Sequence, residues 1–565
     1  MVSPSLYRLS MIPVVFAALI LLFSVVSRPA PERAEEAPDA FAGGSAAALA
    51  TALSEAAPER VPGSDDAEAA IEFVTDELLE IEGGQVSTQK FTAPFDGEDV
   101  EMTNVSLLLP GETEDRIVIV APRDCAEGAC AASSAAATGA LLELARAIDN
   151  TQHSRTVQLV STEGAGAGGA GAEALADLLQ IQPPEAAIAI LRPGSPEPSP
   201  PFVLAESAGM QSASVGLVES AEAVAGRELG RSAELPRDTF SSLLQLAVPL
   251  GIGDSAVLIS RGVDAVGLSS EGDLPLDPAD EGAENVSGQT LGQTGRAALA
   301  LFLALDASSG PLEHGPDSYI PLAGKLVPDW AIALLALTLL LPVGIVSADA
   351  LVRANRRGAG VYGALGWAAL WSLPFLATLL LAYLFEVVGL LPGPAFPYVP
   401  AMNDPGVGGI ASIVLLSAAM VGGLWGARRL RPRPGPETAP AAVGAVAFAG
   451  ALLLWAVNPF LALLAVPAVH AWPVTAARAR GPILGIVALL VGLVPALLVV
   501  VHVGNELDVG GLAPWHLLLL VSGKHLGFTT MLCFCLLGGA LAAAVDGLLR
   551  PKGHSRLDAY ATNRG

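Results

Sequence analysis

The sequence predicts an α/β domain joined to a multi-pass helical membrane domain, with about eight membrane spans in total. Three observations predict this fold class. Charge is unevenly divided, because residues 27–328 hold 47 acidic and 15 basic side chains whereas residues 329–565 hold 9 and 14. Long apolar runs fill the second part, as membrane helices require. Strand and helix patterns alternate through residues 60–308, which is typical of a mostly parallel sheet with helices on both faces.

These changes in composition divide the chain into seven segments. In order they are a cytoplasmic N-terminus (1–10), a signal-anchor transmembrane helix (11–27), a linker with a first helix (28–59), the α/β domain (60–308), a second linker (309–328), a membrane domain of about seven helices (329–548) and a cytoplasmic tail (549–565). No small-residue cleavage site directly follows residue 27, so we interpret the first apolar run as an uncleaved anchor.

The net charge of −26 argues against binding to nucleic acid and against adsorption to anionic lipid through the α/β domain. Arginine outnumbers lysine, and alanine, glycine and proline are abundant, a composition that indicates a bacterial protein from a GC-rich genome.

Thirteen of the 14 basic residues in the second part lie in alternate loops, and Lys524 is the exception. They occur at 353–357, 428–433, 478–480 and after Leu549, whereas the loops 392–405, 458–459 and 504–513 contain none. By the positive-inside rule the basic segments are cytoplasmic, so the α/β domain is predicted outside the cytoplasm and the C-terminus inside. The segment 441–474 is compatible with two short spans or with one re-entrant unit.

Within the α/β domain the elements follow one another with short turns. Predicted helices cover 67–81, 138–148, 173–179 and 290–305, and predicted strands cover 86–91, 102–109, 116–121, 156–161, 187–191, 202–205 and 265–268.

Five short segments of this domain resemble, in the same order, the dinuclear-zinc aminopeptidases of metallopeptidase family 28. The first is RVPGS (60–64). The second is NV (104–105), which leads to LPG (109–111) and RIVIVA (116–121). The other three are TGALLELAR (138–146), IGDS (252–255) and RGVDA (261–265). The resemblance implies that family's α/β fold and a site with two metal ions bound by histidine and carboxylate side chains.

The metal ligands that the resemblance implies are missing from this sequence. The five expected ligand positions hold Pro122, Ala135, Ala165, Gly166 and Ser255. A borderline cation such as zinc needs nitrogen, sulfur or oxygen donors, which these side chains largely lack. We therefore expect a pseudoenzyme with no catalytic residue, no bound metal and no cofactor.

The residues give less support to two other kinds of site, an oxygen-only cation site and a serine nucleophile. Asp124, Glu163 and Asp254 are compatible with an oxygen-only cation site, and His153 and His314 lie in no matching loop. Ser133, Ser134 and Ser255 have no histidine nearby in the sequence to act as a base.

Two cysteines flank the loop in which the family binds metal. Cys125 and Cys130 are close enough in sequence for a disulfide, which an extracytoplasmic compartment would favour over a two-cysteine zinc site.

The order of one span, a degenerate peptidase domain and seven further spans resembles the attachment subunit of the glycosylphosphatidylinositol transamidase. That resemblance implies a scaffold that presents a lipid or a substrate to a protein partner in the membrane. A membrane transporter or permease component with an extracytoplasmic accessory domain is the alternative, and a still-active metallopeptidase is a third, less favoured interpretation.

Polar residues near the outer ends of the spans form a candidate binding cluster for a lipid headgroup or a peptide. Its members are Glu386, Asn458, His502, Glu506, His516, Lys524 and His525. Glu386 stands inside a long apolar run, where a carboxylate needs a partner such as Lys524 or His525.

Overall fold

The structure is a computed structural model that describes residues 4–32, 40–126, 128, 130–230, 239–272, 281–308, 315–393, 403, 405–477 and 482–549. It contains a mixed α/β domain and a helical domain, so the predicted fold class is confirmed. The basic segment 478–480, His314 and residues 550–565 lie outside the described residues.

The first part of the chain begins with one membrane span, formed by its first two helices together, and continues into the α/β domain. The helices are α1 (Pro4–Ser10), α2 (Ile12–Phe23), α3 (Gly43–Ala56), α4 (Asp65–Leu79), α5 (Ala136–Asp149), α6 (Ala170–Leu179), α7 (Val215–Glu228), α8 (Thr239–Ala247), α9 (Asp254–Ser260) and α10 (Gly288–Asp306). The strands are β1 (Val26–Ser27), β2 (Gln85–Phe95), β3 (Glu98–Leu109), β4 (Thr113–Pro122), β5 (Arg155–Thr162), β6 (Ala186–Ile190), β7 (Val203–Leu204), β8 (Ala265–Leu268), β9 (Tyr319–Leu322) and β10 (Lys325–Pro328).

Within the part of the chain that the structure describes, the central sheet has seven strands in the order β2-β3-β5-β4-β6-β8-β7. Strands β5, β4, β6 and β8 are parallel to one another, whereas β2, β3 and β7 run antiparallel at the two sides. The parallel strands β4 and β6 are short apolar runs because helices cover both faces of the sheet. The antiparallel sides are a detail that the alternation of strands and helices does not predict.

Local signals in the sequence fix the helix boundaries. Ser64, Ser214 and Ser287 each cap a helix by accepting a hydrogen bond from a main-chain N–H in the first turn. Gly139 allows α3 to approach α5, since a Cβ atom there would collide with the main-chain oxygen of Ala46.

A second sheet joins the two places where the chain passes between the domains. Its strands are antiparallel in the order β1-β10-β9, and Val26 pairs with Leu326. Strand β1 follows α2 directly, and β10 ends at Pro328, immediately before the next membrane helix. The α/β domain is therefore tied at its base to both of the helices that carry it.

The helical domain begins at that point. Its helices are α11 (Asp329–Arg356), α12 (Val361–Leu370), α13 (Leu373–Val387), α14 (Val407–Leu430), α15 (Ala439–Val457), α16 (Pro459–Ala477), α17 (Pro482–Glu506), α18 (Ala513–Ser522) and α19 (Phe528–Leu549). Among the described residues, eight helical stretches are long and apolar enough to cross a membrane, with α12 and α13 together forming one of them. This is a multi-pass membrane architecture, in which α15 and α16 are two separate helices.

One helix of the α/β domain packs against the membrane helices. Apolar side chains of α8, including Leu244 and Leu246, share a core cluster with Phe460 of α16 and Val503 of α17. The larger core of the α/β domain is a separate cluster between its sheet and its helices. Helix α8 therefore joins the two domains.

Candidate functional site

The positions of the expected metal ligands gather at the carboxyl ends of the central strands. Strand β4 ends at Pro122 and β5 ends at Thr162, and these two residues are partners in the parallel register. Ligand sites of open α/β sheets lie at this edge, outside the ends of the strands. The hydroxyl of Thr138 donates a hydrogen bond to the main-chain oxygen of Pro122, where the resemblance implies a histidine.

Asp124 lies just after the end of β4, and main-chain amides bind its carboxylate. Its Oδ1 atom accepts hydrogen bonds from the N–H groups of Gly164 and Ala165, at 2.9 and 3.1 Å. Its Oδ2 atom accepts one from the N–H group of Gly166 at 3.3 Å. Burial, and then the negative charge of Glu163, raise the pKa of Asp124 to about 6. The Asp124 carboxylate therefore binds the loop that contains Ala165 and Gly166, the positions where the resemblance implies two further metal ligands.

Glu163 is paired with a buried arginine that the sequence analysis did not identify. The Glu163 Oε2 atom accepts hydrogen bonds from the main-chain N–H of Thr103 at 2.7 Å and from the Arg123 guanidinium at 2.8 Å. Both side chains are at most 2% exposed. Arg123 also donates to the main-chain oxygens of Ser161 and Thr103. A cationic side chain thus neutralises Glu163 inside the protein.

A second buried arginine holds the loop between Cys125 and Cys130. Arg60 donates hydrogen bonds to the main-chain oxygens of Arg123 at 2.7 Å and of Cys130 at 3.0 Å. Burial lowers the pKa of Arg60 to about 10, so the side chain is charged at neutral pH. The sulfur atoms of Cys125 and Cys130 form a disulfide, with the Cα atoms 6.3 Å apart.

The chain packs too closely here to admit the missing ligands. A Cβ atom at Gly166 would lie 2.5 Å from the main-chain nitrogen of Ala126, so a glutamate at Gly166 would collide with the disulfide loop. Ala135 is completely buried in a small apolar cluster with Leu53 and Ala57. A carboxylate at Ala135 would lose its hydration in this apolar cluster.

The last expected ligand position, at Ser255 near the start of α9, also lies among structural contacts. The Thr162 hydroxyl donates a hydrogen bond to Asp254 Oδ2 at 2.5 Å, which joins the end of β5 to the start of α9. Burial raises the pKa of Asp254 to about 6. Ser255 is fully buried, and within the described ranges its Oγ atom has no hydrogen-bond partner.

The serines of the loop before α5 have structural contacts as well. Ser133 donates hydrogen bonds from its N–H and from its hydroxyl to Glu281 Oε2, at 3.0 and 2.9 Å. Ser134 Oγ lies 3.2 Å from the main-chain oxygen of Cys130. His153 makes its hydrogen bond to the main-chain oxygen of Thr151, in the turn before β5.

These contacts do not fit a metal centre. Among the described residues, no three histidine, cysteine, aspartate or glutamate side chains are grouped closely enough to hold a metal ion. Asp124 is bound by amides, Glu163 by an arginine and Asp254 by a hydroxyl, so the three acids serve separate contacts. The region is a packed hydrogen-bonded network.

The outer cluster of the membrane domain separates into pairs. The Lys524 Nζ atom lies 4.0 Å from Glu386 Oε2, which joins the end of α13 to the turn before α19. The His502 Nδ1 atom lies 3.4 Å from Glu506 Oε1, one turn along α17. The Lys524 side chain is 63% exposed, whereas His502 is buried.

The remaining members of the cluster have different positions. Asn458 is buried at the junction of α15 and α16, where its Nδ2 atom donates hydrogen bonds to the main-chain oxygens of Leu246 and Ala247 in α8. Its Oδ1 atom accepts from the N–H groups of Phe460 and Leu461. His516 is buried in α18, and His525 is exposed.

A cleft that the sequence analysis did not predict lies beside α8. It is about 50 Å³ in volume, and the segment 205–212 after β7 lines one wall. Ser242, Gln245 and Leu246 of α8 line another part, together with Tyr319 of β9. No periodic pattern marks these residues, because they come from three distant parts of the chain.

No protein-family model matches this sequence, and no curated protein matches it. Solved structures do resemble it over about half of its length. A glutaminyl cyclase from an Acidobacteriales bacterium is 19% identical, with a TM-score of 0.40, covering 49% of this chain and 99% of its own. A Zn-dependent exopeptidase from Parabacteroides distasonis is 18% identical, with a TM-score of 0.37 and coverages of 47% and 99%. A leucine aminopeptidase precursor from Bacteroides thetaiotaomicron is 15% identical, with a TM-score of 0.36 and coverages of 48% and 99%.

Proposed function

We propose that this chain is a non-catalytic membrane platform. Its α/β domain, built like a zinc aminopeptidase but placed outside the cytoplasm, binds a membrane lipid or a membrane-tethered substrate and presents it to a protein partner. The observation that carries the proposal is the environment of Asp124. Its carboxylate is bound by the N–H groups of Gly164, Ala165 and Gly166, where a metal centre would need free oxygen atoms.

Loss of the hydrolytic groups supports a binding role. The arginine side chains of Arg123 and Arg60 occupy the interior of the region that would hold cations, and both are fully buried. In a Ser-His-Asp arrangement a histidine accepts the proton of the serine nucleophile. Ser133 instead contacts Glu281, which also holds the loop by accepting a hydrogen bond from the Ala131 N–H.

The order of the domains supports a role beside a partner. Among the described residues, one helical stretch long and apolar enough to cross a membrane precedes the α/β domain and seven follow it. This layout resembles the attachment subunit of the glycosylphosphatidylinositol transamidase. Helix α8 packs on the membrane helices, so a ligand bound at the base of the domain would contact both parts of the chain.

A transporter is the second candidate function. Its candidate substrate contacts are the ionisable pairs Glu386–Lys524 and His502–Glu506, although these pairs lie at the ends of membrane helices and not at mid-membrane depth, where a transport pathway would need them. A transporter would move its substrate across proteoliposomes that contain this chain alone, whereas a platform would give no flux.

Metal analysis and an activity assay test the loss of catalysis. We expect full-length protein, purified in mild detergent with added zinc and then desalted, to retain far less than one zinc ion per chain and to hydrolyse no aminoacyl substrate. One or two bound zinc ions per chain, or hydrolysis that a chelator abolishes, would contradict the proposal.

Co-purification tests the platform itself. Mass spectrometry of lipids and proteins recovered with the full-length chain identifies the bound class. If the outer cluster takes part, Glu386→Ala and Lys524→Ala should lower that recovery. Lys90→Ala is the matched control, because Lys90 forms an exposed pair with Glu101 at the β2–β3 side of the sheet. Unchanged recovery in both cluster variants would exclude the cluster as the site.

A further inference from the structure

Strand β2 forms one edge of the central sheet. Its eleven residues pair with β3, from Gln85 opposite Leu108 to Phe95 opposite Glu98, and with no other strand among the described residues. Strands are typically about 5–6 residues long. Exposed edges are usually short, because their unpaired main-chain groups can bind another strand. The β2 edge is therefore long enough to accept an added strand.

The open main-chain groups of the β2 edge belong to every second residue. Thr103 of β3 directs its N–H to Glu163 and its carbonyl oxygen to Arg123, away from β2. Lys90 lies opposite Thr103 in the antiparallel register, so its own N–H and carbonyl groups point outward. Among the described residues, none forms a hydrogen bond to the outward main-chain groups of this set, which also includes Val86, Thr88, Thr92 and Pro94.

The features that usually block an exposed edge are weak here. Pro94 takes an outward position, but it stands next to the end of the strand. Lys90 is exposed, but its Nζ atom lies 2.8 Å from Glu101 Oε1, so a neighbouring carboxylate compensates its charge. Thr88 and Thr92 on either side are exposed and uncharged. Within the described part of the chain, the middle of the edge is therefore open.

The surface beside the β2 edge is strongly acidic. Residues 61–109, which include α4, β2 and β3, hold twelve acidic side chains and one basic side chain, that of Lys90. The hydrogen bond and charge of Glu101, and then the charge of Glu68 in α4, raise the pKa of Lys90. The acidic side of α4 therefore lies near the strand. A basic segment would be attracted to this edge, whereas a second copy of the chain would bring like charges together.

The two faces of β2 differ in character. Lys90 lies on the face that carries α4 and Glu68. On the opposite face, Phe91 and Phe95 pack in a small apolar cluster that includes Ala170 of α6. An added strand would extend both faces, so its successive side chains would lie in turn beside the acidic groups and beside the phenyl rings.

We infer that the β2 edge binds an extended segment of a protein partner in which basic and apolar side chains alternate. Hydrogen bonds to the outward main-chain groups supply the affinity, and the two faces supply the specificity. The inference rests on the proposed platform function, and it names the surface that meets the partner and the chemistry of the partner's segment.

The test uses the full-length chain in mild detergent and a short fluorescent peptide in which lysine and valine alternate. We expect saturable binding by fluorescence anisotropy and slower hydrogen exchange in the segment 85–95. Two further peptides carry N-methyl groups at every lysine or at every valine. One of them loses the N–H groups that face β2 and should bind roughly tenfold more weakly, because several hydrogen bonds are lost together. The other should bind like the unmodified peptide.

Matched variants test the edge from the side of the protein. Thr88→Pro removes one outward N–H and keeps the bonds to β3, so it should weaken peptide binding several-fold with little change in the thermal midpoint. Thr88→Val keeps that N–H and should bind the peptide normally. Glu68→Lys should also weaken binding, whereas Glu284→Lys, at an exposed position shortly before α10, should not.

The outcomes distinguish this inference from the proposed function. No binding, equal binding of the two methylated peptides, or equal binding of a peptide with glutamate in place of lysine would overturn strand addition at the β2 edge. Dimerisation of the chain that Thr88→Pro abolishes would overturn the basic partner and indicate a second copy at the edge. None of these results affects the metal and activity measurements. Zinc binding or hydrolysis would instead overturn the proposed function, whatever the peptide does.

Discussion

The side-chain amide of Asn458 donates a hydrogen bond to the main-chain carbonyl of Ala247, with nitrogen and oxygen 3.2 Å apart. Ala247 is the last residue of α8, where helix carbonyls lack partners within the helix. Asn458 separates α15 from α16 and also accepts hydrogen bonds from the first N–H groups of α16. One buried side chain thus completes the ends of two helices from different domains.

Asn458→Leu should therefore destabilise the junction of the domains. The substitution leaves buried carbonyl and N–H groups without partners, at about 1–3 kcal/mol for each group that water cannot reach. We expect a thermal midpoint several degrees lower for the full-length protein and faster proteolysis near α8. Asn505→Leu is the control, because Asn505 is exposed near the end of α17 and should change the midpoint little. Equal effects of the two substitutions would contradict a joining role for Asn458.

Arg123→Met should be strongly destabilising, because it leaves the Glu163 carboxylate buried without its cation. Removing one partner of a buried pair typically costs about 3–5 kcal/mol. Lys90→Met removes a cation from the exposed pair with Glu101 and should have little effect. The double variant Arg123→Met/Glu163→Gln should recover part of the loss. Thermal unfolding of the three variants measures these losses of stability. A mild effect of Arg123→Met would show that the buried Glu163 carboxylate does not depend on Arg123.

Stability should fall as the pH rises from 5 to 7. The folded-state pKa of Asp254 is raised to about 6, above its ordinary value near 4, so the folded protein binds the proton more tightly than the unfolded chain. That contribution is fully present below the unfolded pKa and is lost as the pH passes the folded pKa. It amounts to about 1 kcal/mol between pH 5 and 7.

Asp254→Asn measures this contribution, since an asparagine still accepts the hydrogen bond from the Thr162 hydroxyl but does not titrate. We expect its thermal midpoint to fall less between pH 5 and 7 than that of the unaltered protein. Parallel curves for the two proteins would exclude Asp254 as a source of the dependence.

The disulfide can be tested by counting thiols. Unfolded without reductant, the chain should react at Cys533 and Cys535 alone, and at four cysteines after reduction. The double variant Cys125→Ser/Cys130→Ser should give two thiols under both conditions. The bridge closes a short loop, so its stabilising effect should be below the ~3 kcal/mol of a fifteen-residue loop. Four reactive thiols without reductant would rule the bridge out.

The α/β domain should be accessible from outside the cell. The turn at Asn458 contacts this domain, whereas Arg433 at the other ends of the helices donates hydrogen bonds to the main-chain oxygens of Ala476 and Gly547. The positive-inside rule makes the arginine side cytoplasmic. Protease added to right-side-out vesicles should digest residues 28–328 and leave a tag at Gly565 intact. Inside-out vesicles should give the opposite pattern, and a protected domain in the first preparation would invert the topology.

The fold was largely predictable from periodicity. The predicted strand at 116–121 and the predicted helix at 138–148 lie within β4 and α5, because their apolar patterns repeat at the strand and helix periods. The antiparallel strand β7 and the helix α8 owe their places to contacts with residues far along the chain, which local patterns do not encode. The short β1 strand has the same origin, since its partner lies in β10.

The candidate site was less predictable. The sequence alone shows that Pro122 and Gly166 lack ligand atoms, but it does not show that Arg123 neutralises Glu163 or that Asp124 binds three amides. The one available signal was an arginine beside an aspartate at the end of an apolar strand. Buried charges in such a place need partners, and the partners came from β3 and from the loop after β5.

The pairing of Val26 with Leu326 has a consequence for biosynthesis. Strand β1 leaves the ribosome about 300 residues before its partner, a delay of roughly 15–60 s at ordinary rates of translation. During that interval α2 is anchored before any later membrane helix is made. The α/β core has all of its strands once Leu268 has emerged, before β10, and can then fold as a unit. The base sheet then closes only when β10 emerges, just before α11 enters the bilayer. Assembly of the membrane bundle would thus begin on an α/β domain that is already folded.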